Sequence, residues 1–385
     1  MSVNGYADPR FASAADRFDA AIASQQSGGA AFSVYVDGAC VIDLHGGESR
    51  PGVSWDKTTL SLMFSNTKGF VSVLVAKLVE DGALNPDQTV SHYWPEFERV
   101  SATLTVSQLM EHRAGLSAVR ADLTRDDVLD HDRLIAVLLN QEPLWEPGTG
   151  YAYHAITFGT LADELIRRVD GRTASEMFRD VFARPLGVDA WIGLPESEQQ
   201  HVAEFSVSAP IQAADAEPGT HAYWAERALT FGDVFPLRTI GMPGVGFNDP
   251  AVHRAELPGA NAISTARGIA KMWSSVVTPT DGVRTVSDET VDLLTVKRVN
   301  GPSVWGEPGP WSDRGFGVML ATPGRPPLLS ESSFGHDGFG GQAGWADSRH
   351  RAGIGFVTNH LTTGPHEHER WLSLVAEVRR VLEKG

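Results

Sequence analysis

Apolar positions along this chain change their period several times, and each change marks an element. Phe11, Ala15, Phe18 and Ile22 recur at helical spacing, which predicts an amphipathic helix over residues 8–24, ended by Gly28-Gly29. Residues 31–36 and 40–44 read as two strands joined by Asp37-Gly38, a strong hairpin signal. An apolar run from Leu60 stops at Ser65, and Val71, Leu74, Val75 and Leu78 follow at the spacing of a helix with one buried face. After a turn at residues 80–86 no alternating strands are recognisable until about residue 281. Helical periods occur instead at residues 106–112, 134–139, 158–169, 174–182 and 265–277, with Gly and Pro turns between them. Residues 195–260 are rich in Pro, Gly, Ala and aromatics without a clear period. Loops that long inside a compact domain are usually functional, so this segment is expected to wall a substrate pocket or form a subunit contact.

Beyond residue 284 a helix carrying Val291, Leu293 and Leu294 leads back to short alternating runs at 315–320, 334–337, 342–347 and 352–358, the signature of an antiparallel sheet. A last helix over 370–382 places Trp371, Leu372, Val375, Val378, Val381 and Leu382 on its apolar face. The predicted class is α+β. An α/β lobe is drawn from residues 1–86 and 284–385, its antiparallel sheet flanked by the N- and C-terminal helices. A helical lobe, residues 87–283, is inserted into it and contains the long segment 195–260.

Composition narrows the function. With 385 residues, 42% of them hydrophobic, the chain is long enough for two lobes and a substantial core. Against 32 Lys and Arg stand 48 Asp and Glu, a net charge of -16 with no basic block. That balance argues against nucleic acid and anionic membrane surfaces as partners, since both are recognised through positive charge. The single cysteine, Cys40, rules out an internal disulfide and reads as a small buried apolar side chain in a strand. Residues 1–10 show no basic stretch followed by an apolar one. The longest apolar run, near residues 70–79, is broken by Lys77 and too short to span a bilayer. A cytoplasmic location is the resulting expectation.

Three stretches carry candidate chemistry. Ser65-Asn66-Thr67-Lys68 opens a predicted helix, where the serine N–H points out of an unsatisfied helix end and Lys68 lies one turn away on the same face. A serine hydroxyl needs such a neighbour to act as a nucleophile. The pattern alone is weak: an N-cap serine with a solvent-exposed lysine has the same spacing, and Ser54-Trp55-Asp56-Lys57 repeats it in a polar stretch without helical period. The second stretch runs from Trp145 to Gly159, where a Pro147-Gly148 turn delivers Tyr151 and Tyr153 just before a helix. Core aromatics at a helix entry would look alike. The third, Phe334-Gly335-His336-Asp337-Gly338-Phe339-Gly340-Gly341, has enough glycine for a strand backbone to approach a ligand and offer N–H groups to an oxyanion.

Taken in order, the three stretches resemble the serine β-lactamase and penicillin-binding superfamily, and within it the class C-like carboxylesterases called family VIII. Residues 105–116 and 261–267 also look like that family's helical lobe, and the resemblance covers nearly the whole chain. It implies a β-lactamase/transpeptidase-like fold with no cofactor and no metal. By position, Ser65 would be the nucleophile, Lys68 the cation that favours its alkoxide and lowers the pKa of a neighbouring phenol, and Tyr153 the general base, with Tyr151 the competing candidate. His336-Asp337-Gly338 would occupy the family's Lys-Thr-Gly position and contact substrate, and the N–H groups of Ser65 and Phe339 would form the oxyanion hole. His154 adjoins Tyr153 and is a candidate pocket residue, though a structural hydrogen-bonding role serves it equally well.

Two departures shape the expected substrate. Ala155 stands where the family has the Asn of Tyr-x-Asn, and His336 stands where it has Lys, so contacts to a β-lactam's amide and carboxylate are lost unless the imidazole is protonated. An ester of a short uncharged acid asks for neither. The expected function is a serine carboxylesterase acting on small-molecule esters through an acyl-enzyme. A β-lactamase or D-amino-acid peptidase, and an inactive binding protein of the same fold, stay open, as does homo-oligomerisation. His366-Glu367-His368 mimics a metal pair but lacks further ligands at recognisable spacing.

Overall fold

A computed structural model describes residues 3–23, 27–207, 211, 216–306 and 309–384. Its centre is an antiparallel sheet made from both ends of the chain. The order is Val3–Ala7, Ala39–Arg50, Gly29–Val36, Ala352–Thr358, Gln342–Asp347, Ser333–Gly338 and Met319–Leu320, with Val53–Ser54 paired to Ala39–Arg50. The Asp37-Gly38 hairpin forms, with φ values of 51° and 79°, the left-handed pair that a two-residue turn between twisted strands requires. The second strand of this hairpin runs on to Arg50, six residues past the predicted end, because His45 to Arg50 pair with flanking strands although their pattern is polar. Val3–Ala7 was not recognisable: it is an edge strand, largely exposed, with no apolar alternation to read. Of the predicted run at 315–320 only Met319–Leu320 is strand.

Both faces of the sheet are covered. Phe32, Val34, Trp345, Ile354 and Phe356 pack on one side with Phe11, with Phe18 and Ile22 of the Ala12–Ala23 helix and with Trp371, Leu374 and Val378 of the Glu369–Leu382 helix. The predicted first helix is split, because Pro9–Phe11 form a 3-10 turn capped by Asp8, and Ser24 falls outside the described residues. On the other face lie the Ala266–Val277 helix and, buried behind it, Asn66–Glu80. This last helix differs from its expectation. Every residue from Asn66 to Ala76 is buried, so it runs through the protein interior rather than lying on it with one apolar face. The segment 195–260 holds more regular structure than its composition indicates, including His221–Thr230 and Pro250–Arg254. No helix among the described residues is long and apolar enough to cross a membrane.

Close approach of the Ala266–Val277 helix to the sheet depends on glycine. A Cβ on Gly353 would fall 2.2 Å from the Ala270 carbonyl oxygen and 2.3 Å from the Ser274 nitrogen, and one on Gly355 2.2 Å from the Ala266 carbonyl oxygen. Backbone cannot yield as a flexible side chain can. Gly353→Ala is expected to destabilise the fold by about 1–3 kcal/mol, the usual cost of overpacking, read as a lower urea midpoint at unchanged slope.

Candidate active site

The nucleophile candidate sits at a strained turn. Phe64 has φ 46°, a left-handed value that costs a bulky side chain, and is held by ring contacts with Phe205 at 5.1 Å, Phe247 at 5.0 Å and Phe339 at 5.7 Å. Its carbonyl accepts the Thr67 hydroxyl at 2.6 Å, and that hydroxyl accepts the Ala262 N–H at 3.0 Å. Ser65 follows as the residue before the first helical turn, but its side chain makes no capping hydrogen bond. From Thr59 to Ala76 Ser65 alone is not buried. The exposed Ser54 and Lys57, which share the four-residue pattern, lie at a strand edge and a turn.

Lys68 is fully buried. Its Nζ lies 3.0 Å from Ser65 Oγ and 2.5 Å from each of two carbonyl oxygens, those of Ala155 and Gly259. A neutral amine has two hydrogens and one lone pair, which matches two carbonyls and one hydroxyl. Burial pushes Lys68 well below the usual lysine range, and the Arg314 charge adds to the effect.

Tyr153 completes the cluster. Its phenol lies close enough to the Ser65 side chain to feel it, and the Lys68 Nζ lies 5.0 Å from its ring centroid. Burial raises its pKa to about 12, against the opposing pull of Arg314 and of the Ser65 side chain. The ring is packed by His336 at 5.9 Å, nearly parallel, and by His112 at 5.1 Å. Arg314 was not recognised in the sequence, where it is one arginine in an aperiodic loop. Its guanidinium carbon stands 4.9 Å from the Tyr153 ring, and its buried Nη1 has no hydrogen-bond partner. Burial, Arg314 and Lys68 together press His336 well below its usual range, so the imidazole is neutral and does not replace the family's Lys as a cation.

The remaining predicted residues divide by geometry. Side chains alternate along a strand, so His336 faces Tyr153 while Asp337 faces the opposite layer, where it accepts Trp345 Nε1 at 2.9 Å and lies 3.7 Å from His368 Nε2. Asp337 is thus turned away from Ser65, a correction that strand parity accounts for. Gly338 does belong near the nucleophile: a Cβ there would fall 2.4 Å from the Met63 carbonyl oxygen. Tyr151 donates its hydroxyl to the Gly301 carbonyl at 3.0 Å. His154 is buried away from the cleft, bonding the Ala152 carbonyl at 2.7 Å through Nδ1 and the Leu116 N–H at 3.2 Å through Nε2. Neither is among the described residues lining the cleft at Ser65. The N–H groups of Ser65 and Phe339 donate to no backbone carbonyl among the described turns and loops. Both residues line an apolar cleft of about 540 Å³, open solvent at its mouth counted in, walled by Phe235, Leu237, Ile240 and Phe247 of the long segment, with no charged side chain among its described lining residues. Among the described residues no three His, Cys, Asp or Glu come together as a metal site.

The model of the Beta-lactamase family matches residues 14–378. An esterase/beta-lactamase, LipL, of Mycobacterium tuberculosis (strain ATCC 25618 / H37Rv) is 33% identical over 380 residues, which cover 93% of this chain and 83% of that protein. The crystal structure of a family VIII carboxylesterase superposes with a TM-score of 0.86 at 30% identity, covering 99% of this chain and 100% of the other. A penicillin-binding protein homologue from Caulobacter crescentus superposes with the same TM-score of 0.86 at 29% identity, covering 99% and 100%.

Arg314 adds to burial in disfavouring the Lys68 ammonium. Removing its charge lets Lys68 keep its proton to higher pH, and a protonated amine cannot take the serine proton. Phosphonylation of Ser65 by a fluorophosphonate should therefore lose rate on acidification at a higher pH in Arg314→Met than in the wild type, while Arg314→Lys keeps the wild-type midpoint.

Proposed function

The chain belongs to the Beta-lactamase family and is a serine hydrolase; on that premise we propose that it is a carboxylesterase for small, short-acyl esters, with an acyl-enzyme on Ser65. The observation that carries this reading is a hydroxyl 3.0 Å from a buried amine at the mouth of an uncharged, aromatic-lined cleft.

In this reading Lys68 is the base and Tyr153 the acid, the reverse of the charge assignment carried by the resemblance, because burial opposes both the ammonium and the phenolate. Lys68 Nζ takes the Ser65 proton as Oγ bonds to the ester carbonyl carbon, and the oxyanion is held by the Ser65 and Phe339 N–H groups. As the carbonyl reforms and the C–O bond breaks, the leaving alkoxide takes the phenolic proton. The Lys68 ammonium then returns a proton to the phenolate. Water enters in place of the alcohol, loses a proton to the same pair, and frees the acid with Ser65 restored.

Substrate choice follows from what the cleft lacks. A neutral His336 offers no cation to a carboxylate, and Ala155 offers no side-chain amide. An acyl chain entering the cleft exchanges water for Phe235, Leu237 and Phe247, each buried methylene contributing about 0.8 kcal/mol.

That increment predicts a rise of about fourfold in kcat/KM per methylene from acetyl to butyryl p-nitrophenyl esters, then a decline once the cleft is filled. Turnover of nitrocefin faster than of the butyrate would favour a β-lactamase. Ser65→Ala should abolish ester turnover; retention of wild-type turnover in that variant would remove the nucleophile from the scheme.

A further inference from the structure

The turn that carries Phe339 has no regular structure of its own to hold it. It joins Ser333–Gly338 to Gln342–Asp347, and two of its residues are glycines at φ 76° and 101°, Gly340 and Gly341. The Gly338-Gln342 pair closes the turn at its base, while the two glycines, lacking a Cβ, leave the peptide orientations within it weakly set. Further support comes from the segment before the last helix. Glu367 Oε1 accepts the Gly340 N–H at 2.7 Å, and the Gly340 carbonyl accepts the Thr362 N–H at 3.2 Å. A Cβ on Gly340 would meet Leu361 at 2.5 Å, and one on Gly341 would meet the Glu367 carbonyl oxygen at 2.8 Å, so the two chains lie in backbone contact.

We propose that Glu367 is a positioning residue for the reaction: its carboxylate grips the N–H of Gly340 and thereby aims the adjacent N–H of Phe339 into the oxyanion hole. This rests on the oxyanion role of Phe339 given above. The carboxylate sits where burial and the Asp337 charge oppose its ionisation, while His368 and the Gly340 N–H favour it. A half-buried carboxylate costs stability unless it is hydrogen-bonded, and this one accepts the Gly340 amide. Glu367 holds the N–H of the Phe339-Gly340 peptide, which directly follows the Gly338-Phe339 peptide that carries the proposed donor, so a small relaxation of the turn rotates that donor. Misplacement by about 1 Å is enough to cost about 100-fold in rate.

The test compares Glu367→Ala, Glu367→Gln and Glu367→Asp with the wild type. Three readouts are taken: the rate of Ser65 phosphonylation by a fluorophosphonate, inhibition by an alkyl boronic acid whose tetrahedral adduct places an oxygen in the hole, and kcat with KM for p-nitrophenyl butyrate. Glu367→Ala is expected to lose about 10- to 100-fold in phosphonylation rate, in boronate affinity and in kcat, with KM within about twofold. Glu367→Gln, whose amide oxygen still accepts the Gly340 N–H, is expected to stay within about threefold of wild type. Should the alanine variant fold poorly, Glu367→Asp, one methylene short of the amide, is expected to show the same selective loss. Wild-type phosphonylation and boronate affinity in the alanine or aspartate variant would overturn the proposal, as would equal losses in the alanine and glutamine variants. Absence of butyrate turnover in a wild type that is still phosphonylated at Ser65 would count against the esterase reading instead, since the first two readouts need no ester.

Discussion

The desolvation of one ammonium organises this site. Lys68 lies on a helix buried from Asn66 to Ala76, and among the described residues no carboxylate pairs with it. Two backbone carbonyls take its hydrogens, which satisfies the amine without supplying a full charge to hold it protonated. Both carbonyls reach it because two glycines let their segments touch. A Cβ on Gly159 would fall 1.9 Å from the Gly259 nitrogen, and one on Gly259 would fall 2.4 Å from the Ile156 carbonyl oxygen. The loop bearing Gly259 is tied by Asn261, which accepts the Leu257 N–H at 3.0 Å and donates to the Val252 and Ala255 carbonyls at 2.8 and 2.7 Å. Remote segments thus converge to keep one nitrogen dry and 3.0 Å from a hydroxyl.

Much of this was legible in the sequence. The hairpin at Asp37-Gly38, the covering helices and the α+β class followed from periods and turn chemistry, because those signals are local. Ser65, Lys68 and Tyr153 were legible as letters, through three ordered motifs, and the structure brings their side chains together. Protonation was not legible. It depends on burial and on Arg314, which reaches Tyr153 from a segment with no motif. Asp337 shows a different case: it was expected at the substrate together with His336, but side chains of adjacent strand residues face opposite layers, and its carboxylate meets Trp345 instead.

The long segment 195–260 explains how a shared fold acquires its own substrate. It carries no regular pattern because its apolar residues serve an irregular wall: Phe235, Leu237, Ile240 and Phe247 line the cleft, and Phe247 also supports the strained Phe64. In the proposed reading, acyl selection and nucleophile geometry meet in one aromatic cluster.

The most direct measurement is nitrogen NMR of the enzyme carrying isotope-labelled lysine ζ-nitrogens, with the Lys68 resonance assigned by its loss in Lys68→Met. The account predicts a neutral amine at neutral pH, titrating well below the other lysines, whose burial is smaller. An ammonium at neutral pH that loses its proton together with the exposed lysines would contradict it.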